Sequence, residues 1–340
     1  MTLLRIRFLF LRELALVSAA LMVAGLLGIP AAQAQTPLLQ PGTANAVPPG
    51  TATLGNDDQP VEIFRTRTDE VNVIFTVTDK HNKFVKDLKQ SQFTILDNNL
   101  PPQQIMDFEA ETNMPLRVGL LIDSSFSIRD RFLFEQQAAS KFLSQIIRPN
   151  TDQAFVVGFG ETSKVTQDFT SDMNKLDHGI RVIHPGGGTA LWDAVYHACK
   201  DKLMKENEDA NHRTLRKAII VVSDGDDNQS EVTRRQAFEM AQRSGVIVYT
   251  ISTNLSNILD TGDRNLKMLA DATGGRAFFP YKLKDLTQAF RSISEELRSQ
   301  YSVSYKPADF RADGEYRPIK ISAENKHLHV RAKKGYYVPK

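Results

Sequence analysis

The rhythm of apolar and polar positions changes twice along residues 61–340. Between 61 and 112 short runs alternate, as in Val71-Asn72-Val73-Ile74-Phe75-Thr76-Val77 and Gln92-Phe93-Thr94-Ile95-Leu96, separated by Asp79-Lys80-His81-Asn82 and Asp97-Asn98-Asn99. A period of two broken by Asn/Asp turns predicts antiparallel strands. Four at most fit there, which is thin for a sandwich standing alone. From 115 to 300 unbroken apolar runs (LRVGLLID, QAFVVGF, KAIIVVSD, VIVYTIS) alternate with helical periods such as IRDRFLFEQQAASKFLSQII, TALWDAVYHACKDKLM, RRQAFEMAQRSG and a last helix expected over 284–300. Strands read as continuous apolar runs when helices cover both faces of a sheet, so this stretch predicts an α/β domain with a doubly wound, mostly parallel, Rossmann-like sheet. Over 301–340 the alternation returns in YSVSYKP, YRPIKISAE and HLHVRAKKGYYV, about three more strands. Neither flanking segment has enough partners to close a core. Together they are expected to form one small β-sandwich-like module into which the α/β domain is inserted; the alternative is that each extends an edge of the α/β sheet.

The first 34 residues have another texture. Arg5, Arg7 and Arg12 lead into an apolar run from Leu14 to Ile29 and the small triplet Ala32-Gln33-Ala34. This is the build of a secretory signal peptide cleaved after Ala34. The run is shorter than the ~20 residues of a spanning helix, so export to the periplasm or beyond, with no transmembrane anchor after cleavage, is expected. Residues 35–60, rich in Pro, Gly, Thr, Ala and Asn, read as a flexible linker that buries too little apolar area to order itself. The single cysteine, Cys199, excludes an internal disulfide, and its setting in TALWDAVYHACK suits a buried helix face rather than a nucleophile. The formal charge of +2 equals that of the arginine-rich first 34 residues, so the remainder is nearly neutral. A neutral surface without interleaved basic and aromatic residues offers no track for phosphates, and nucleic acid is not an expected partner.

Ligands of open α/β sheets bind at the carboxyl ends of the strands. Three such loops carry oxygen-bearing residues: Asp123-Ser124-Ser125-Phe126-Ser127 after LRVGLLI, Gly186-Gly187-Gly188-Thr189 before a helix, and Ser223-Asp224-Gly225-Asp226-Asp227-Asn228 after KAIIVV. A small hard cation takes about six oxygens, keeps its waters reluctantly released, and is commonly held by one or two carboxylates. Asp123 and Asp224 would supply the carboxylates, and Ser125, Ser127 and Thr189 the hydroxyls, directly or through water. Mg²⁺ and Mn²⁺ both accept this set. Ser124, Gly188, Asp226 and Asp227 are candidates for the shell around these ligands, and either of the last two would replace Asp224 if the loop were shifted. Three of these have plainer alternatives: Ser127 and Thr189 as helix caps, Asp224 as a turn residue.

The run Asp123-x-Ser125-x-Ser127, Thr189 after its glycine loop, and Asp224 in IIVVSDG resemble, in order, the metal-ion-dependent adhesion site of von Willebrand factor type A domains. The resemblance covers about 115–300. The flanking strands and RKAIIVVSDGDDN also resemble an exported bacterial VWFA-related group. It implies a cation that completes its coordination with a Glu or Asp of a protein partner, and a last helix that shifts on binding. A scaffold protein of the cell envelope and a metal-dependent hydrolase are the other readings. The hydrolase lacks a base or nucleophile beyond the ligands and a Gly-x-Ser-x-Gly elbow. His178, His184, His197 and His212 form no i, i+4 zinc pair; His184 lies nearest in sequence to the Thr189 loop.

Overall fold

A computed structural model describes residues 69–339 except 112–113, 127–130, 207–213, 255 and 257. The expected signal peptide and linker lie outside the described residues. Everything below belongs to one compact unit, 64–340.

Three strands precede the α/β region: β1 (Val71–Thr78), β2 (Phe93–Asp97) and β3 (Gln104–Glu111). Four follow it: β10 (Gln300–Lys306), β11 (Tyr316–Ala323), β12 (His329–Ala332) and β13 (Gly335–Tyr337). They interleave as a four-stranded sheet, β12-β1-β10-β3, and a three-stranded one, β13-β11-β2. Neither flank therefore extends the α/β sheet; β10 runs antiparallel between β1 and β3. The faces between the sheets bury Val73, Phe75, Val77, Ile95, Tyr301 and Val303. Asp97 of β2 is buried here and accepts hydrogen bonds from Tyr305 Oη (2.8 Å) and Tyr336 Oη (3.0 Å), so its Oδ2 joins strands of both sheets.

The inserted region runs β4 (Leu116–Asp123), α1 (Phe132–Ile146), β5 (Gln153–Phe159), β6 (Ser163–Thr170), α2 (Met173–Arg181), α3 (Leu191–His197), β7 (Arg216–Ser223), α4 (Arg234–Arg243), β8 (Ile247–Ser252), α5 (Thr261–Thr273), β9 (Ala277–Phe278) and α6 (Leu283–Leu297). Its six strands are ordered β6-β5-β4-β7-β8-β9. All neighbours are parallel except the β5/β6 pair. Every residue of β4 and β7 is buried, because alternate side chains enter two different cores: Leu120, Ile122 and Ile220 pack with α1, α2 and α6, while Leu121, Ile219 and Val221 pack with α3, α4 and α5. Among the described residues no helix is long and apolar enough to cross a membrane.

Two details depart from the sequence reading. The last helix ends at Leu297 rather than at 300, and Gln300 already belongs to β10. Elements that the pattern leaves unassigned are β6, α2, α5 and β9. β6 is an edge strand whose side chains are at most half-buried, so it carries little apolar signal. α5 is marked instead by its start, where Asp260 and Asp263 form a capping box.

Candidate metal centre

β4 lies between β5 and β7, so its carboxyl end opens into a notch framed by the loops of both neighbours. Asp123, its last residue, is fully buried. Its carboxylate is aimed from two directions: Ser125 N donates to Oδ1 (2.8 Å), and Ser223 Oγ, at the end of β7, donates to Oδ2 (2.6 Å). The Ser223 hydroxyl also accepts from Gly225 N at 3.0 Å. Burial pushes the Asp123 carboxyl up to about 6, against the lowering effect of these hydrogen bonds and with reinforcement from the charge of Asp224. Asp224 turns its own loop by accepting from Asp226 N at 3.2 Å.

The three loops are joined by backbone hydrogen bonds. Ser124 N and Oγ both donate to the Phe159 carbonyl (2.7 and 3.0 Å), and the Ser124 carbonyl accepts from Gly186 N at 2.6 Å. Thr189, itself buried, donates through its N–H to Asn228 Oδ1 (2.9 Å), while its carbonyl accepts from Asn228 N (3.0 Å) and Gln229 N (3.1 Å). Gly188 leaves no room for a side chain: a Cβ there would meet Gln229 Cγ at 2.6 Å and Asn228 Oδ1 at 2.7 Å. Gly225 has φ +82° and faces Gly262 of α5 so closely that a Cβ on either would collide with the other segment's backbone, on Gly262 with the Asp224 carbonyl. The site loops are thus set by sheet ends below and by a glycine contact with α5 at the side.

Asp123, Ser125, Ser223 and Asp224 form one group, to which the Thr189 loop is fastened through Ser124 and Asn228. Ser127 lies outside the described residues. Two of the surrounding candidates do other work. Asp227 Oδ1 accepts from Ser230 Oγ (2.5 Å) and Trp192 N (3.3 Å), so it holds the first turn of α3 and is not placed to replace Asp224. Asp226 is exposed, and its carboxyl is raised by partial burial and by the charges of Asp224, Asp260 and Asp263. Thr189 is no helix cap, since Ala190 occupies that position for α3. His184 is exposed.

Sequence reasoning missed Ser223 and Asn228, and also the buried carboxylate of Glu135 in α1. A serine closing an apolar strand directly before Asp224 was the signal for Ser223. Asn228 ends the loop after KAIIVV and carries no separate mark in the sequence. Glu135 interrupts the buried stripe of α1 made by Phe132, Ala139, Phe142, Leu143 and Ile146, a charged residue on an apolar face.

Among the described residues no three His, Cys, Asp or Glu side chains are grouped to hold a metal directly. A cation held here would have two carboxylates and otherwise neutral oxygens, a donor set that fits a hard, partly hydrated ion better than zinc, with its nitrogen and sulfur preference.

The model of the von Willebrand factor type A domain matches residues 118–296, just over half of the chain. An uncharacterized protein of Borreliella burgdorferi is 24% identical over 210 residues, 60% of this chain and 58% of that protein. The chain thus spans under two thirds of that relative's length. Among solved structures, a von Willebrand factor type A protein of Catenulispora acidiphila is 12% identical with a TM-score of 0.47, covering 81% of this chain and 74% of its own. The proximal thread matrix protein 1 of the mussel byssus, solved with a zinc-occupied MIDAS motif, is 15% identical with a TM-score of 0.46, covering 59% of this chain and 49% of its own. With its parallel sheet, its helices on both faces and the family match across β4 to α6, the chain belongs to the von Willebrand factor type A domain family.

Proposed function

We propose that this protein is a divalent-cation-dependent protein-binding module of the adhesion type. Asp123 and Asp224 would hold Mg²⁺ or Mn²⁺ with the hydroxyls of Ser125, Ser127 and Thr189, and an Asp or Glu of a protein partner would complete the coordination. The observation that carries this reading is Asp123: a fully buried carboxylate, oriented by Ser125 and Ser223, with a second carboxylate, Asp224, as its charged neighbour. Two like charges at a buried strand end disfavour each other's ionisation, and a 2+ ion reverses that cost. Two carboxylates would leave a 2+ ion with attraction for a further anion. Phe126, 62% exposed beside Ser125, adds an apolar contact at the rim.

Export, absence of catalysis and the identity of the ion belong to the same reading. Titration calorimetry with Mg²⁺ and Mn²⁺, followed by capture from envelope extract with and without EDTA, tests it against Asp123→Ala. The expected result is cation binding and an EDTA-sensitive partner, both lost in D123A. Retained capture in EDTA would favour a scaffold, and phosphoester turnover would favour a hydrolase.

A further inference from the structure

Glu135 is a buried carboxylate in the first turn of α1, the helix into which the chain runs after Asp123 ends β4. It is only 3% exposed, on the face that packs toward the sheet and α6. Its Oε1 lies 4.0 Å from Arg131 Nε, a loose pair across one helical turn. Its Oε2 is buried without a hydrogen-bond partner among the described residues. A buried, unsatisfied carboxylate oxygen costs stability, and replacing Glu135 by an apolar residue would relieve that cost. Burial raises its carboxyl to about 7, Arg131 opposes the rise, and the charges of Asp123 and Asp224 add to it, so all three carboxylates share one electrostatic neighbourhood.

We infer that Glu135 belongs to the cation centre as an acceptor for water bound to the ion, resting on the cation site proposed above. Direct coordination is disfavoured because Asp123, Asp224 and Glu135 do not group as three ligands of one ion. A bridging water would meet the chemical needs of both partners. Mg²⁺ retains several waters whose hydrogens need acceptors, and Glu135 Oε2 is a free acceptor on the buried side, where bulk solvent does not supply one. Carboxylates that accept from bound water orient the first ring of ligands, and their loss commonly weakens metal binding by about 10- to 100-fold. The third negative charge, partly balanced by Arg131, also strengthens the attraction for a 2+ ion without occupying a coordination position that a partner's carboxylate needs. A role limited to pairing with Arg131 would leave cation affinity untouched.

The test is calorimetric titration of Mn²⁺ and Mg²⁺ into the full chain at pH 7.5, comparing wild type, Asp123→Ala, Glu135→Gln and Arg131→Gln, with thermal unfolding in EDTA as the check on folding. Expected are loss of binding in D123A, affinity lowered about 10-fold or more in E135Q, and an EDTA midpoint for E135Q at or above wild type. Glu135→Met gives the same readout should the Gln variant not fold. If E135Q binds both cations as wild type does while D123A does not, the inference is overturned and the cation site stands. If wild type itself binds neither ion, the cation site fails and this inference with it.

Discussion

Glu296, next to last in α6, pairs inside the protein with Arg331 of β12, so the closing helix of the inserted domain is anchored to a strand of the sandwich. The pair sits in a network. Tyr249 Oη of β8 donates to Glu296 Oε1 (2.8 Å), Gln300 Nε2 donates to Tyr249 Oη (3.1 Å), and Arg331 Nη2 donates to Thr76 Oγ1 of β1 (3.1 Å). Arg216 Nη1, at the start of β7, donates to the Leu297 carbonyl. A shift of α6, of the kind the family resemblance implies, would have to break these contacts and drag β10 between its two neighbours.

Removing Arg331 leaves Glu296, 1% exposed, without its counter-charge. Arg331→Ala is expected to destabilise the protein by about 2 to 3 kcal/mol, below the figure for a fully buried pair because Arg331 is itself 30% exposed. Denaturant unfolding measures it. Cation affinity should not change; a change would mean that α6 is coupled to the centre even without a partner.

Ser223→Ala removes the donor to Asp123 Oδ2 and the acceptor for Gly225 N in one step. The expected loss is about 1 to 2 kcal/mol of stability and roughly 10-fold in cation affinity, because the Asp123 carboxylate is then oriented from one side only. Calorimetry at constant pH reads the second effect.

Gly262 is not itself a candidate ligand, yet the Cβ added by Gly262→Ala would press on the backbone carbonyl of Asp224, which is one. Weaker cation binding is expected from displacement of Asp224, with stability reduced by about 1 to 3 kcal/mol as in overpacked interiors. Unchanged affinity would show that Asp224 does not depend on the α5 contact.

Without metal, the two raised carboxyls predict the sign of the pH response. Asp123 at about 6 and Glu135 at about 7 lie above their ordinary values, so the folded state binds more protons than the unfolded chain through this range. Their stabilising effect is complete at lower pH and is lost as pH rises toward 7, on the order of 3 kcal/mol for each group. Thermal midpoints in EDTA should therefore fall between pH 5 and pH 7.5. Groups such as Asp177, held low by Arg181, titrate below that window. Saturating Mg²⁺ should flatten or reverse the slope, since the ion favours the charged forms. A midpoint that rises with pH in EDTA would contradict both shifts.

Much of the architecture was legible because burial on both faces leaves an unmistakable run, as in Leu116–Asp123 and Arg216–Ser223, and Asp123, which closes the first run, and Asp224, which directly follows the second, mark the candidate site. The polar edge strand β6 has no such signature. The boundary at 297–300 was blurred because a 3.6-residue period and a two-residue period overlap in Leu297-Arg298-Ser299-Gln300. Within Asp224-Gly225-Asp226-Asp227 composition cannot say which carboxylate faces inward. The positive φ at Gly225 turns the chain after Asp224, and Trp192 N and Ser230 then claim Asp227. Glu135 stayed hidden because its significance lies in what surrounds it.

The pairing of β3 with β10 sets Glu111 opposite Gln300, so the chain enters and leaves the inserted domain at adjacent points on the sandwich. A tensile load applied through β1 and β13 is therefore carried by the sandwich ladders before it reaches the parallel sheet. The loops of Asp123, Thr189 and Asp224, at the strand ends, lie off that line of force. Strain entering through β1 or β13 would leave these loops undistorted until the sandwich itself gave way.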